Sequence, residues 1–68
     1  MDRNQLEIAF LNRGYEDTNV ALQEILDLKY LAVHKRLKGK VEFGRDEIKK
    51  IIDELKLNDE EVIKIFFN

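Results

Sequence analysis

The chain has no cysteine, no proline and no tryptophan, and only three glycines and one histidine among its 68 residues. Without cysteine there is neither a disulfide framework nor a thiolate metal site, so apolar packing has to hold the fold, and the composition suits a reducing cytoplasm. The lack of proline and the scarcity of glycine fit helices joined by short turns better than a sheet sandwich. No apolar run approaches the ~18 residues of a membrane-spanning helix and no signal peptide is recognisable, so a soluble protein is expected. A metal site or a catalytic triad needs several convergent donors, and the lone His34 lies within a basic stretch, so no catalytic residue, metal ligand or cofactor is expected. Gly14, Gly39 and Gly44 are too far apart for a phosphate-binding loop.

What is present is charge, unevenly placed. Twelve basic and fourteen acidic residues give a net charge of −2. Residues 29–40 hold five of the basic ones, Lys29, Lys35, Arg36, Lys38 and Lys40, and no acidic one. An acidic chain that keeps one concentrated basic segment has what it needs to approach nucleic-acid phosphates. A chain of this length makes one domain, residues 1–68, and buries only roughly 60% of its unfolded surface, so its core must be efficient or shared with another chain.

The apolar spacing predicts an all-α domain of five helices. Helix one, over residues 2–13, sets Leu6, Ala9, Phe10 and Arg13 on one side, and Gly14 stops it. Thr18 is expected to cap helix two, residues 19–26, whose apolar face is Val20, Leu22, Ile25 and Leu26. Asp27 then turns the chain into helix three, residues 29–37, with Val33 and Leu37 inward and Gly39 ending it. Residues 41–43 read as an extended linker in preference to a strand. Helix four, residues 45–56, points Ile48, Ile51, Ile52 and Leu55 inward, with Asp46–Lys50 and Lys49–Asp53 as i,i+4 pairs. Asn58 and Glu61 form a capping box for helix five, residues 59–67, whose apolar side is Val62, Ile63, Phe66 and Phe67, with Ile65 left over.

Residues 19–40, and within them Leu37-Lys38-Gly39-Lys40, resemble the helix-turn-helix of Cro and CI-type (XRE-like) phage regulators. Phe43, Glu47-Ile48, Ile51, Leu55, Leu57 and the closing residues 60–67 resemble the second half of the same small proteins. The resemblance implies a lambda-repressor-like fold in which helices two and three form the motif, working in the cytoplasm of a bacterial host. It makes Asn19 a phosphate contact, puts Lys29, Tyr30 and Leu31 nearest the bases, and sets His34 and Lys35 one turn later. Lys38 and Lys40 then lie near the DNA backbone. The chain departs from the family at Gln23, where alanine is usual, at Asp27, where glycine is usual, and at Lys29, where a serine or threonine caps the recognition helix.

Two functions compete on these residues. The first is a Cro-like transcriptional regulator that binds double-stranded operator DNA, as a homodimer joined through Ile65, Phe66 and Phe67. The second is an antirepressor, or modulator of repression, that binds a phage repressor protein. Its motivation is the net charge of −2, the departures at Gln23 and Lys29, and the Tyr30-Leu31 pair, which suits another protein's surface as well as a thymine methyl.

Overall fold

In the computed structural model, which describes residues 1–67, five helices follow one another. They are α1 (Arg3–Leu11), α2 (Thr18–Leu26), α3 (Tyr30–Leu37), α4 (Arg45–Leu55) and α5 (Asp59–Phe66). No strand forms among the described residues, and residues 41–43 link α3 to α4 without regular structure. The Cα radius of gyration is 10.7 Å, against about 11 Å expected for a compact chain of this length. The all-α, five-helix architecture expected from the apolar spacing is therefore the one observed.

Short polar side chains start three of the helices. Asp2 accepts the Gln5 amide at 3.1 Å for α1, Asp17 accepts the Val20 amide at 3.2 Å for α2, and Asn58 accepts the Glu61 amide at 2.8 Å for α5. The cap of α2 is thus Asp17, one residue earlier than expected, and Thr18 is its first helical residue. A carboxylate holds the free amides of a helix start at least as well as a hydroxyl, and it also favours the positive helix end. At α4 the cap is Gly44, which has no side chain to offer, and only the reverse half of a capping box forms, from the Gly44 amide to Glu47 at 2.9 Å.

One device ends each of the first four helices: a residue in the left-handed conformation, followed by one whose N–H reaches back five positions. The pairs are Gly14 with Tyr15 to the Phe10 carbonyl, Asp27 with Leu28 to Gln23, Gly39 with Lys40 to Lys35, and Lys56 with Leu57 to Ile52. In three of them the reaching residue is apolar and turns back onto the core: Tyr15 lies edge-on to Phe10 with ring centroids 5.3 Å apart, and Leu28 and Leu57 pack beside it. Only at the end of α3 is that residue a cation. Glycine takes the left-handed region without cost, but Lys56 at φ 53° does not, and it also stops α4 one residue short of the expected end.

The core is built from Leu6 and Phe10 of α1, Leu22 of α2, Val33 of α3, Ile51 of α4 and Ile65 of α5, all fully buried. Two expectations about facing fail here. Val20 is 50% exposed, and the smaller Ala21 takes the inward position beside Leu22 and Leu26. On α5, Ile65 is 1% exposed while Ile63 and Phe67 are outside. Its apolar side chains cover a little more than half of the circumference, so the 3.6-residue period does not by itself choose which of them faces the core. Contacts outside the helix do: Glu61, one turn before Ile65 on the same face, pairs with Arg13 in the turn after α1 at 2.9 Å, and the Ile65 carbonyl accepts the Asp2 amide at 2.7 Å. Ile65 therefore closes the core and is unavailable as a contact for another chain. Among the described residues neither Asp46–Lys50 nor Lys49–Asp53 forms an ion pair, and the ion pair of α4 is instead the one from Glu47 to Arg36.

Replacing Lys56 by glycine relieves the strained end of α4 without removing any packing, because the side chain is exposed. The expected gain is about 0.5–1 kcal/mol, read as a rise of roughly 4 °C in the midpoint of thermal unfolding for a chain of this size. Asp27→Gly should gain less, since aspartate tolerates the same conformation better. A Lys56→Gly protein that melts at or below the parent temperature contradicts this account.

Candidate nucleic-acid interface

Helices α2 and α3 pack on each other across residues 27–29, and α2 also packs on α4. Lys29 is not in α3 but is its N-cap, in extended conformation and with no side-chain hydrogen bond to the first turn. With Val33 and Leu37 buried, the 3.6-residue period puts Leu31, Lys35 and Lys38 along the opposite line of α3, pointing away from the protein. Tyr30 and His34 lie on one flank of that line, with their rings stacked at 5.6 Å and an interplanar angle of 14°. Tyr30 and Leu31 are each 58% exposed.

Ala32 and Arg36 lie on the other flank, and there the sequence misleads. Arg36 belongs to the basic segment, yet its guanidinium grips Glu47 of α4 through two parallel bonds of 3.0 and 3.1 Å and donates a third, of 2.9 Å, to the Ala32 carbonyl. The two side chains are only 17% and 23% exposed. A forked arginine–carboxylate pair so shielded fixes geometry and leaves no charge to spare for a phosphate. The clue in the sequence was the three-residue spacing from Gly44 to Glu47, which marks a helix start even though glycine lacks a capping side chain.

The cationic groups left on this surface are Lys29, Lys35, Lys38 and Lys40, all exposed and none in an ion pair among the described residues. The turn after α3 gathers two of them: the Lys40 amide bonds the Lys35 carbonyl at 2.9 Å and the Gly39 amide bonds that of Arg36 at 3.1 Å, so Lys38 and Lys40 stand at the negative end of the helix. Gln23 donates to the Asn19 side-chain carbonyl at 2.8 Å, which satisfies this polar residue within α2 and leaves the Asn19 amide N–H groups as donors. Asn19 lines a shallow depression together with Glu7, Glu16, Asp17 and Arg3. Asn19 therefore contributes a dipole in acidic surroundings, and the positive charge of the surface is confined to α3 and its flanking turns.

No family model, curated protein or solved structure matches the chain.

Of the residues expected to join two chains, Ile65 is core, Phe66 is half-buried, and Phe67 is 71% exposed. Phe66 borders a groove of about 420 Å³ formed with Met1, Leu37, Val41, Phe43 and Ile48, behind the C-terminal end of α3. Ile63 adds an exposed apolar side chain on α5, one turn before Phe67 at the C-cap.

The pair that anchors α3 to α4 also makes the fold sensitive to acid. Hydrogen bonds from Arg36 hold the Glu47 carboxyl below its ordinary value of 4.5, against the opposing effect of burial. Arg13 does the same for Glu61, with help from the Asn58 amide. A carboxyl whose pKa is lowered on folding contributes stability above its unfolded pKa and loses it as the pH falls through the folded one. Denaturant midpoints should therefore be level near neutrality and decline once the pH drops below about 4.5. In Glu47→Gln the decline should be shallower, because one of the two titrating groups is gone. A variant with the parent's full acid dependence would show that the Arg36 contact does not shift Glu47.

Proposed function

We propose that the protein is a small DNA-binding transcriptional regulator of phage or prophage type, with α2 and α3 as a helix-turn-helix and α3 as the helix that enters the major groove. The observation that carries this reading is the outward line of α3. Leu31, Lys35 and Lys38 project from a helix whose opposite side is locked by Val33, Leu37 and the Arg36–Glu47 pair, and four unpaired lysines surround it with no acid between them. Such a helix offers charge to phosphates and a rigid edge to bases, the division of labour that DNA recognition requires. The chain acts as a dimer on two half-sites about 34 Å apart, joined through the α5 surface that includes Phe66, Ile63 and Phe67.

A second reading has an observation of its own. Val20, Tyr30 and Leu31 are all exposed on α2 and α3, and aromatic and aliphatic side chains of this kind make better anchors on a protein than on a phosphate backbone. On that reading the same two helices bind a phage repressor and relieve or modulate repression.

Titration of fluorescent operator-region duplex at several salt concentrations separates the two. DNA binding through Lys29, Lys38 and Lys40 of each of two chains predicts a log–log slope of roughly −0.9 per phosphate contact, hence about −5, with two chains per duplex at saturation. Lys38→Ala should reduce the slope by about two units, one for each chain, whereas Arg36→Ala should lower stability with little change in slope. Binding with a slope near zero, or none, removes the DNA reading. Co-purification of the chain with the repressor, lost in Tyr30→Ala and Leu31→Ala proteins, is the outcome the second reading requires.

A further inference from the structure

The polar side chains that point outward along α3 are all donors. Lys35 and Lys38 lie on the outward line, and a lysine has no acceptor. A donor alone recognises guanine through its O6 and N7 and recognises phosphates, but it cannot pair with adenine in the two-bond manner of asparagine or glutamine, nor accept from cytosine as a carboxylate does. His34 is stacked on Tyr30 to the side of this line, and Arg36 is bound to Glu47 on the other side. One exposed side chain on the line remains, and it is apolar: Leu31, at the first turn, more than half exposed in the free protein. The only apolar feature that distinguishes one base pair from another in the major groove is the C5 methyl of thymine.

We infer that Leu31 discriminates bases by packing its methyl groups on a thymine C5 methyl, while Lys35, one turn on, donates to a guanine of the same half-site. The inference rests on the DNA reading above and adds the bases to it. Four residues of helix span about 6 Å, or not quite two base steps of about 3.4 Å, so the guanine lies within about two base pairs of the thymine. Lys38, a further turn along, reaches the backbone. The charge around Leu31 fits this occupant: Lys29, Lys35 and Lys38 surround it with no acid on the helix, which suits a polyanion that carries an apolar methyl at its groove surface.

The test uses the intact chain and duplexes selected by it from a random-sequence pool. Each thymine of the selected site is replaced in turn by deoxyuridine, which removes only the methyl and keeps base pairing. At one thymine per half-site, within about two base pairs of a guanine, the loss should weaken binding about four-fold, the change that corresponds to burying one methyl group. Leu31→Ala should abolish that difference, binding thymine and deoxyuridine duplexes alike while its salt dependence stays that of the parent. Indifference of the parent protein to the methyl at every thymine overturns the inference, and so does a Leu31→Ala protein that still separates the two duplexes. A Leu31 silent on DNA is also the result expected if this surface meets a protein. Failure to bind DNA in a salt-dependent way overturns the inference together with the reading beneath it, whereas methyl-indifferent but salt-dependent binding overturns the inference alone.

Discussion

An arginine bound to the glutamate at the start of another helix is the joint on which this small fold depends, and it occurs twice. Arg13, just after α1, donates to the Ala9 carbonyl one turn behind it, to the Leu55 carbonyl at the end of α4, and to Glu61. Arg36 of α3 donates to the Ala32 carbonyl one turn behind it and to Glu47. In both cases the glutamate also accepts the backbone amide of its own helix cap, Asn58 or Gly44. Each arginine thus ends a helix-to-helix vector at a fixed point and each carboxylate finishes a helix start. In a chain too short for a large core, such directional contacts set rotations that apolar packing alone leaves loose.

The two joints have different consequences for function. The one at Arg13 gathers α1, the end of α4 and the start of α5, and so rotates α5 until Ile65 closes the core and Ile63 and Phe67 face out. The one at Arg36 fixes α3 on α4 and turns the line of Leu31, Lys35 and Lys38 outward. It also withdraws the strongest phosphate-binding side chain of the basic segment. On the proposed DNA reading, contact with the polyanion is left to lysines, which lack the planar two-bond geometry of arginine, so selectivity would come from elsewhere on the helix.

Much of this was legible in the residues. Five helices, their order, the turn at Asp27, the left-handed Gly14 and Gly39, the Asn58–Glu61 capping box and the inward Val33 and Leu37 all follow from local rules, because each depends on neighbours within about five residues. Leu31, Lys35 and Lys38 could be placed opposite the core for the same reason. What could not be read were the choices among locally equivalent arrangements. Val20 and Ala21 are both acceptable on an inward face, and the apolar arc of α5 is wide enough for more than one rotation. The Lys56 turn carries no glycine to announce it.

The sequence by itself determined the helices, their order and the concentration of positive charge in residues 29–40, since period, capping chemistry and composition act along the chain. Tertiary structure alone decided which of those charges stay available and which apolar residues meet solvent. The partners that decide it are far apart in sequence: Arg36 and Glu47 are eleven residues apart, Arg13 and Glu61 forty-eight. A forked bond between an arginine and a carboxylate has no local signature, yet it turns a basic residue into a structural one and picks one rotation of a helix from several that pack almost equally well.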